Sequence, residues 1–145
     1  MLTSKADRLE RLQRICVQFG VVALYAFGSR AKEVSDWFTG RQLHLESSLS
    51  DVDIGAKTMG AVIWAVEQKV RLALALETLL ECPRVDLVVL DDADPFVAAE
   101  VIRGERLFAF DEFVADEYDL YVLRRAGDLA PLERERMTLV LGELG

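Results

Sequence analysis

Apolar residues recur at helical spacing through residues 3–19, where Leu9, Leu12, Ile15, Cys16 and Phe19 share one side. Thr3 or Ser4 is placed to cap that helix and Gly20 to end it. The pattern then changes period. VVALYAF at 21–27 is a continuous apolar run rich in β-formers, as expected of a buried strand. Gly28 and Ser29 punctuate it, and residues 30–38 fit a short helix ended by Thr39 and Gly40. RQLHLE, within 41–50, alternates weakly and allows one extra strand. DVDIGAK at 51–57 alternates clearly and predicts a strand. From about 60 to 81 two apolar stripes, Ile63, Val66, Val70, Leu74 and Leu72, Leu76, Leu79, Leu80, predict a long helix buried deep between layers. Pro83 stops it. RVDLVVL at 84–90 predicts another buried strand, 95–103 a short helix with Asp94 as cap and Pro95 at its first position, and RLFAF at 106–110 a last strand. Residues 111–125 read as helix, 127–131 as a break and 132–142 as a final short helix. The alternation predicts an α/β (α+β) domain around one central sheet, a single unit over 1–145 with no internal repeat.

Composition narrows the function. The 145 residues are 52% hydrophobic and 29% charged with a formal net charge of −8. That balance argues against a surface built to hold a nucleic-acid backbone and fits a small-molecule substrate, a basic protein partner or plain solubility. No apolar stretch reaches the roughly 18–20 residues that span a bilayer. The first residues, MLTSKADRLE, lack the apolar centre of a signal peptide. The expected compartment is therefore the cytoplasm. Cys16 and Cys82 lie in apolar helical patterns and read as reduced packing residues.

Three places break the local rules. Asp51 and Asp53 occupy one face of a strand, where Asp is depleted and where two carboxylates repel unless a cation lies between them. A solvated edge strand is the plainer explanation. Asp86 is a charge inside a run of Val and Leu, where burial is expensive. Gly28-Ser29 is a strand-to-helix turn, where a glycine lets backbone approach a ligand and the helix N-terminus suits a phosphate. Ser29 adds a hydroxyl and Arg30 a positive charge. Asp51 and Asp53 can share hard cations such as Mg²⁺, and two metals stabilise both oxygens of a phosphoryl or nucleotidyl transfer. Asp86 completes such a cluster if its strand lies beside theirs. A second Asp-x-Asp, at 92 and 94, is explained by helix capping.

FGSRA followed by SDVDI and then the lone Asp of VDLVV resembles the nucleotidyltransferase superfamily of the DNA polymerase beta type. The likeness is greatest to the minimal nucleotidyltransferases, short bacterial proteins encoded beside HEPN-domain partners. The leading helix, the turn, both acidic strands and GERLF occur in that family's order, and DEYDLYVLRRAGDLAPLERER is similar to its tails. The resemblance implies a nucleotidyltransferase fold, a small mixed central sheet flanked by helices. It implies that Gly28 and Ser29 hold the triphosphate of ATP, with Arg30 counted among the nucleotide-binding residues for its charge at the same turn. Asp51, Asp53 and Asp86 are then both catalytic and metal-binding, holding Mg²⁺, two ions in all. One branch of the family consists of antitoxins that transfer AMP from ATP to a tyrosine of a HEPN ribonuclease toxin. The resemblance therefore implies a HEPN toxin as partner, no direct nucleic-acid substrate and no membrane. A second copy of this chain is a further candidate partner.

Residues 30–50 depart from the family, which keeps a spacing about half as long between Gly-Ser and the first Asp. DWFTGRQLHLE at 36–46 reads as an insertion, and a helical tail starts at about 111. Lys32-Glu33 stands where a glycine often follows. Trp37 and Phe38 read as hydrophobic anchors of the insertion, and His44, the only histidine, as a surface residue. Tyr118 and Tyr121 read as packing or interface residues, and Met137, Leu139, Val140 and Leu141 as an apolar end that marks a partner site if it is not folded back. Two alternatives stay open: a catalytically silent module that neutralises a HEPN partner by contact, and a nucleotidyltransferase acting on a small molecule of the antibiotic type.

Overall fold

In the computed structural model, which describes residues 4–45, 51–60 and 63–144, the run at 21–27 is strand β1 (Val21–Phe27). Its side chains alternate between two cores. Leu24 and Ala26 face one, Ala23 and Tyr25 the other, and all four are buried. A strand covered on both faces has no solvated side for polar residues, which explains the unbroken apolar run. Strand β2 (Val52–Thr58) pairs antiparallel with one side of β1. Strand β3 (Val85–Val89) adds to β2 in parallel, and β4 (Glu105–Ala109) lies antiparallel on the other side of β1. The order β3-β2-β1-β4 is the small mixed sheet expected from the sequence.

Helices α1 (Lys5–Phe19), α2 (Ala31–Phe38) and α3 (Val66–Leu80) cover one face through Leu12, Cys16, Val34, Leu72, Leu76 and Leu79. Helices α4 (Pro95–Ile102) and α5 (Glu112–Leu144) cover the other through Ala98, Val101, Ala115, Val122 and Ala126. Local signals set the helix ends. Ser4 Oγ accepts from the Asp7 N–H at 3.2 Å, Gly20 closes α1 in the left-handed region (φ 68°), and Asp94 Oδ1 accepts from the Phe96 N–H at 2.8 Å. Cys16 and Cys82 are free thiols, and burial pushes that of Cys16 up to about 12. Among the described residues no helix is long and apolar enough to cross a membrane.

Two arginines, Arg8 buried and Arg106 partly buried, fasten neighbouring elements. Arg8, 3% exposed, donates to the carbonyls of Trp37 (2.7 Å), Gln42 (3.1 Å) and Leu43 (2.8 Å) and stacks on the Trp37 ring. It therefore clamps the end of α2 and the segment that follows, while Trp37 and Phe38 sink into the core. On the other face Arg106 of β4 donates to Glu112 (2.9 Å), Asp116 (2.9 Å) and Asp119 (2.6 Å) of α5, and the Tyr25 hydroxyl donates to the same Asp119.

Three expectations need correction. The long helix before Pro83 starts at Val66 and is not buried all round: Leu72, Leu76 and Leu79 face the sheet, but Ile63, Val66, Val70 and Leu74 are exposed. One face suffices to cover the sheet, and among the described elements no second layer packs over the other. Residues 127–131 do not break the C-terminal helix. Helix α5 runs through Pro131, whose ring crowds the carbonyl four residues back, at Gly127, where no side chain hinders the adjustment. Residues 41–45 form no strand, and the remainder of that weak pattern, 46–50, lies outside the described residues.

Candidate active site

The apolar alternation of β2 and β3 decides where their aspartates stand. Val52 and Ile54 are fully buried under α1–α3, as is Val85 nearly so. Asp53 and Asp86 therefore occupy the opposite face. The parallel register places Asp53 directly beside Asp86, and the antiparallel register places Asp53 beside Phe27, the last residue of β1. Helix α4 crosses this face further along β2. It lies so close at Gly55 that an added Cβ would stand 2.3 Å from Val101 Cγ1. The helical layer ends there, leaving the two carboxylates uncovered.

After Phe27 the chain turns through Gly28 (φ 75°) into a 3₁₀ turn, Gly28–Arg30, which feeds α2. A Cβ on Gly28 would meet Asp53 Oδ2 at 2.4 Å. Backbone and carboxylate thus touch where only glycine fits. Beside the turn is a cleft of about 390 Å³ lined by Gly28, Ser29, Lys32, Arg103, Gly104 and Glu105, among others. Gly104 packs its Cα onto β1, where a Cβ would be 2.2 Å from the Ala26 carbonyl oxygen. The cleft therefore lies on the β1–β4 side of the carboxylate pair.

The other sequence-selected residues are placed differently. Asp51 precedes β2 and pairs with Arg84, Nε to Oδ2 at 3.5 Å. Arg30 does not line the cleft. It is 7% exposed and makes a two-pronged contact with Glu33, at 2.8 and 3.2 Å, bracing the first turn of α2. His44 is exposed in the segment after α2. Sequence reasoning overlooked Lys32, Arg103 and Arg84. Only Arg84 gave a signal, since alternation puts it on the same strand face as Asp86.

The electrostatics follow from the geometry. Partial burial, then Asp86, then Asp51 hold the Asp53 carboxyl above its ordinary range. A cation between Asp53 and Asp86 would relieve that repulsion, so the carboxylate pair fits a divalent ion with oxygen ligands. Among the described residues no three carboxylate, imidazole or thiolate groups are already gathered tightly enough to hold a metal, and Asp51 is paired with Arg84. That pair is solvent-exposed, and such pairs are worth about 0–1 kcal/mol, so recruiting Asp51 costs little. A backbone-lined cleft at a helix start beside a carboxylate pair suits the handling of a polyphosphate with its cation.

No protein-family profile matches the sequence, and no curated protein does. Solved structures do. A chain of the complex of tri-AMPylated Shewanella oneidensis HEPN toxin with MNT antitoxin aligns over 98% of this chain and 100% of its own, at 15% identity and a TM-score of 0.64. A chain of a toxin–antitoxin complex with AMP-PNP aligns over 94% and 98%, at 17% identity and 0.65. A chain of the MntA–HepT toxin–antitoxin complex aligns over 95% and 97%, at 16% and 0.62. The likeness is one of fold: the chain has the nucleotidyltransferase fold that the sequence motifs led us to expect.

Proposed function

We propose that this chain is an antitoxin of the nucleotidyltransferase type, transferring AMP from ATP to a tyrosine hydroxyl of a HEPN-domain toxin in the cytoplasm. The observation that carries the proposal is the register of Asp53 with Asp86, next to the Gly28 turn. The fold shared with chains of toxin–antitoxin complexes, one holding an AMPylated HEPN toxin and one AMP-PNP, supports the choice of partner and nucleotide.

In this reading Ser29 and the backbone of Gly28 grip the triphosphate, Lys32 and Arg103 offset its charge along the cleft, and Arg30 keeps the turn in shape through Glu33. Asp53 and Asp86, joined by Asp51, would hold Mg²⁺, two ions in all. When bound, these ions supply charge neutralisation at the phosphates and lower the pKa of the acceptor hydroxyl. The acceptor oxygen attacks the α-phosphorus, and a new P–O bond forms. The bond from that phosphorus to the oxygen bridging to the β-phosphate breaks, and pyrophosphate departs. Asp86, the more exposed of the pair, accepts the hydroxyl proton.

The test is label transfer from ATP carrying labelled α-phosphate to the HEPN-domain protein encoded beside this chain, with Mg²⁺ present. Transfer is expected from the wild type and none from Asp53→Asn, with unchanged circular dichroism. Transfer that survives the substitution overturns the mechanism. A contact-only antitoxin is the second reading, favoured by the Asp51–Arg84 pair, which leaves the third carboxylate away from the other two. Under it the partner is silenced with no gain in mass, equally well by Asp53→Asn.

A further inference from the structure

Strand β2 carries a second charged residue on the face of Asp53. Lys57 stands four residues on, roughly 13 Å along the strand, and alternation puts it on the same side. Helix α4 crosses between the two, with Val101 seated on Gly55. Beyond that crossing, a pocket of about 300 Å³ lies between the end of β2, the turn Leu90–Asp92, the start of α4 and the middle of α5. Its volume is at the low end for small-molecule sites.

The wall is largely apolar, with Pro95, Ala98 and Val122, and Tyr118 and Tyr121 supply two rings whose centroids are 6.4 Å apart. The polar groups are few and fixed. Lys57 Nζ donates to Asp91 Oδ2 at 2.6 Å and to the Thr58 carbonyl at 3.1 Å, and lies 5.6 Å from the centre of the Tyr118 ring. Asp91 Oδ1 accepts from the Thr58 N–H at 2.9 Å. An ammonium has three N–H groups, so Lys57 is held in place with one donor to spare. Burial raises the Tyr118 phenol above its ordinary range, so its hydroxyl keeps its proton.

The Lys57–Asp91 pair would tie the turn after β3 to β2 without any hollow beside it. Arg125 is not part of that tie. It is exposed on the rim of the pocket, and its guanidinium makes no ion pair or hydrogen bond among the described residues. Lys57 and Arg125 against Asp91 leave the lining with one positive charge, in a chain whose net charge is −8. Two aromatic rings, a spare ammonium donor and a free guanidinium suit a flat ring that bears one anionic group. The guanidinium fork matches a carboxylate or a phosphate. The single net charge favours the carboxylate, since a phosphate monoester would bring about two charges to a lining that also holds Asp91.

We propose that this pocket is a second ligand site, for a small planar aromatic monocarboxylate. The ring lies against Pro95, Val122 and the tyrosines, the carboxylate reaches the Arg125 guanidinium, and Lys57 adds the second polar contact. Such a ligand touches none of the residues assigned above to AMP transfer.

The test is an NMR titration of the full chain with benzoate, 4-hydroxybenzoate and indole-3-acetate. At least one should bind saturably with a Kd at or below about 1 mM, shift the amides of Ala93, Ala98 and Val122, and show cross-relaxation with the Val122 methyls. The alcohol corresponding to that acid should bind at least about tenfold more weakly, and so should the acid to Arg125→Ala. Arg125 is exposed, so the thermal melt of that variant should match the wild type. Arg134→Ala, further along α5, should bind as the wild type does, and phenyl phosphate should bind the wild type more weakly than the acid. Undiminished binding by the alcohol or by Arg125→Ala overturns the proposal, as does tighter binding of phenyl phosphate. Absence of saturable binding by all three acids, or shifts confined to residues outside the pocket, overturns it equally.

Discussion

Gly28 presses its backbone onto the carboxylate of Asp53, so closely that a Cβ at 28 would stand 2.4 Å from Oδ2. The same residue sits at φ 75°, where an L side chain costs about 1–2 kcal/mol. Gly28→Ala should therefore lower unfolding stability by at least about 1–2 kcal/mol in urea titrations. It should also abolish AMP transfer, because the Asp53 carboxylate must move. A variant that keeps wild-type stability and transfer would contradict the contact.

Asp53 makes metal-free stability depend on pH. Its folded-state pKa is raised by burial, Asp86 and Asp51, so the folded chain binds this proton more tightly than the unfolded chain does. As pH rises from the ordinary Asp value through the raised one, stability is lost, and above that window the penalty is complete. In EDTA at pH 7, Asp53→Asn should thus be more stable than the wild type, and the gap should close as pH falls toward 4. Thermal melts across pH check this. Adding Mg²⁺ should raise the melting temperature of the wild type and leave the variant unmoved.

Arg84 stands as counter-ion to Asp51 and competes with a metal for it. Arg84→Ala should tighten Mn²⁺ binding, followed by calorimetry without nucleotide, by roughly two- to fivefold, the range of an exposed ion pair. Weaker binding would show that Arg84 instead helps to hold the site together.

The Tyr25–Asp119–Arg106 chain fastens α5 to the sheet. Asp119→Ala leaves the Tyr25 hydroxyl without its acceptor and removes one of the three carboxylates around Arg106. A loss of about 1–3 kcal/mol is expected in denaturant unfolding. Asp119→Asn should lose less, since its amide oxygen still accepts.

Arg8 is the corresponding clamp on the other face. Arg8→Met keeps much of the packing against Trp37 but leaves the carbonyls of Trp37, Gln42 and Leu43 without their donor. Stability should fall by about 2–3 kcal/mol. Amide exchange should quicken in residues 37–43 before it does in β1.

Strands were the most legible part of this sequence. The apolar run at 21–27 became β1 to the residue, because Gly20 and Gly28 bound it on both sides. Alternation correctly put Asp53 opposite Val52 and Ile54. It says nothing of which strand lies alongside, so the register with Asp86 had to come from the fold. The two stripes of α3 show the limit of periodicity. Both are apolar, and only packing reveals that Leu72, Leu76 and Leu79 face inward while Val66 and Val70 do not. The sequence points Arg30 at a phosphate and does not single out Arg8; their actual partners are set by packing, Glu33 for Arg30 and three carbonyls from a distant segment for Arg8. At Gly127 and Pro131 two helix breakers four apart suggested a stop, yet propensity is local and each costs only a few kcal/mol.

Pairing of Phe27 with Asp53 across β1 and β2 has a consequence for how such a chain varies. Once that rung is fixed, the connection from the end of α2 to β2 can change in length without moving where its ends meet. Doubling a loop raises its closure cost by only about 0.6 kcal/mol. Descent can lengthen or trim this connection without shifting the rung that holds Asp53 beside the end of β1.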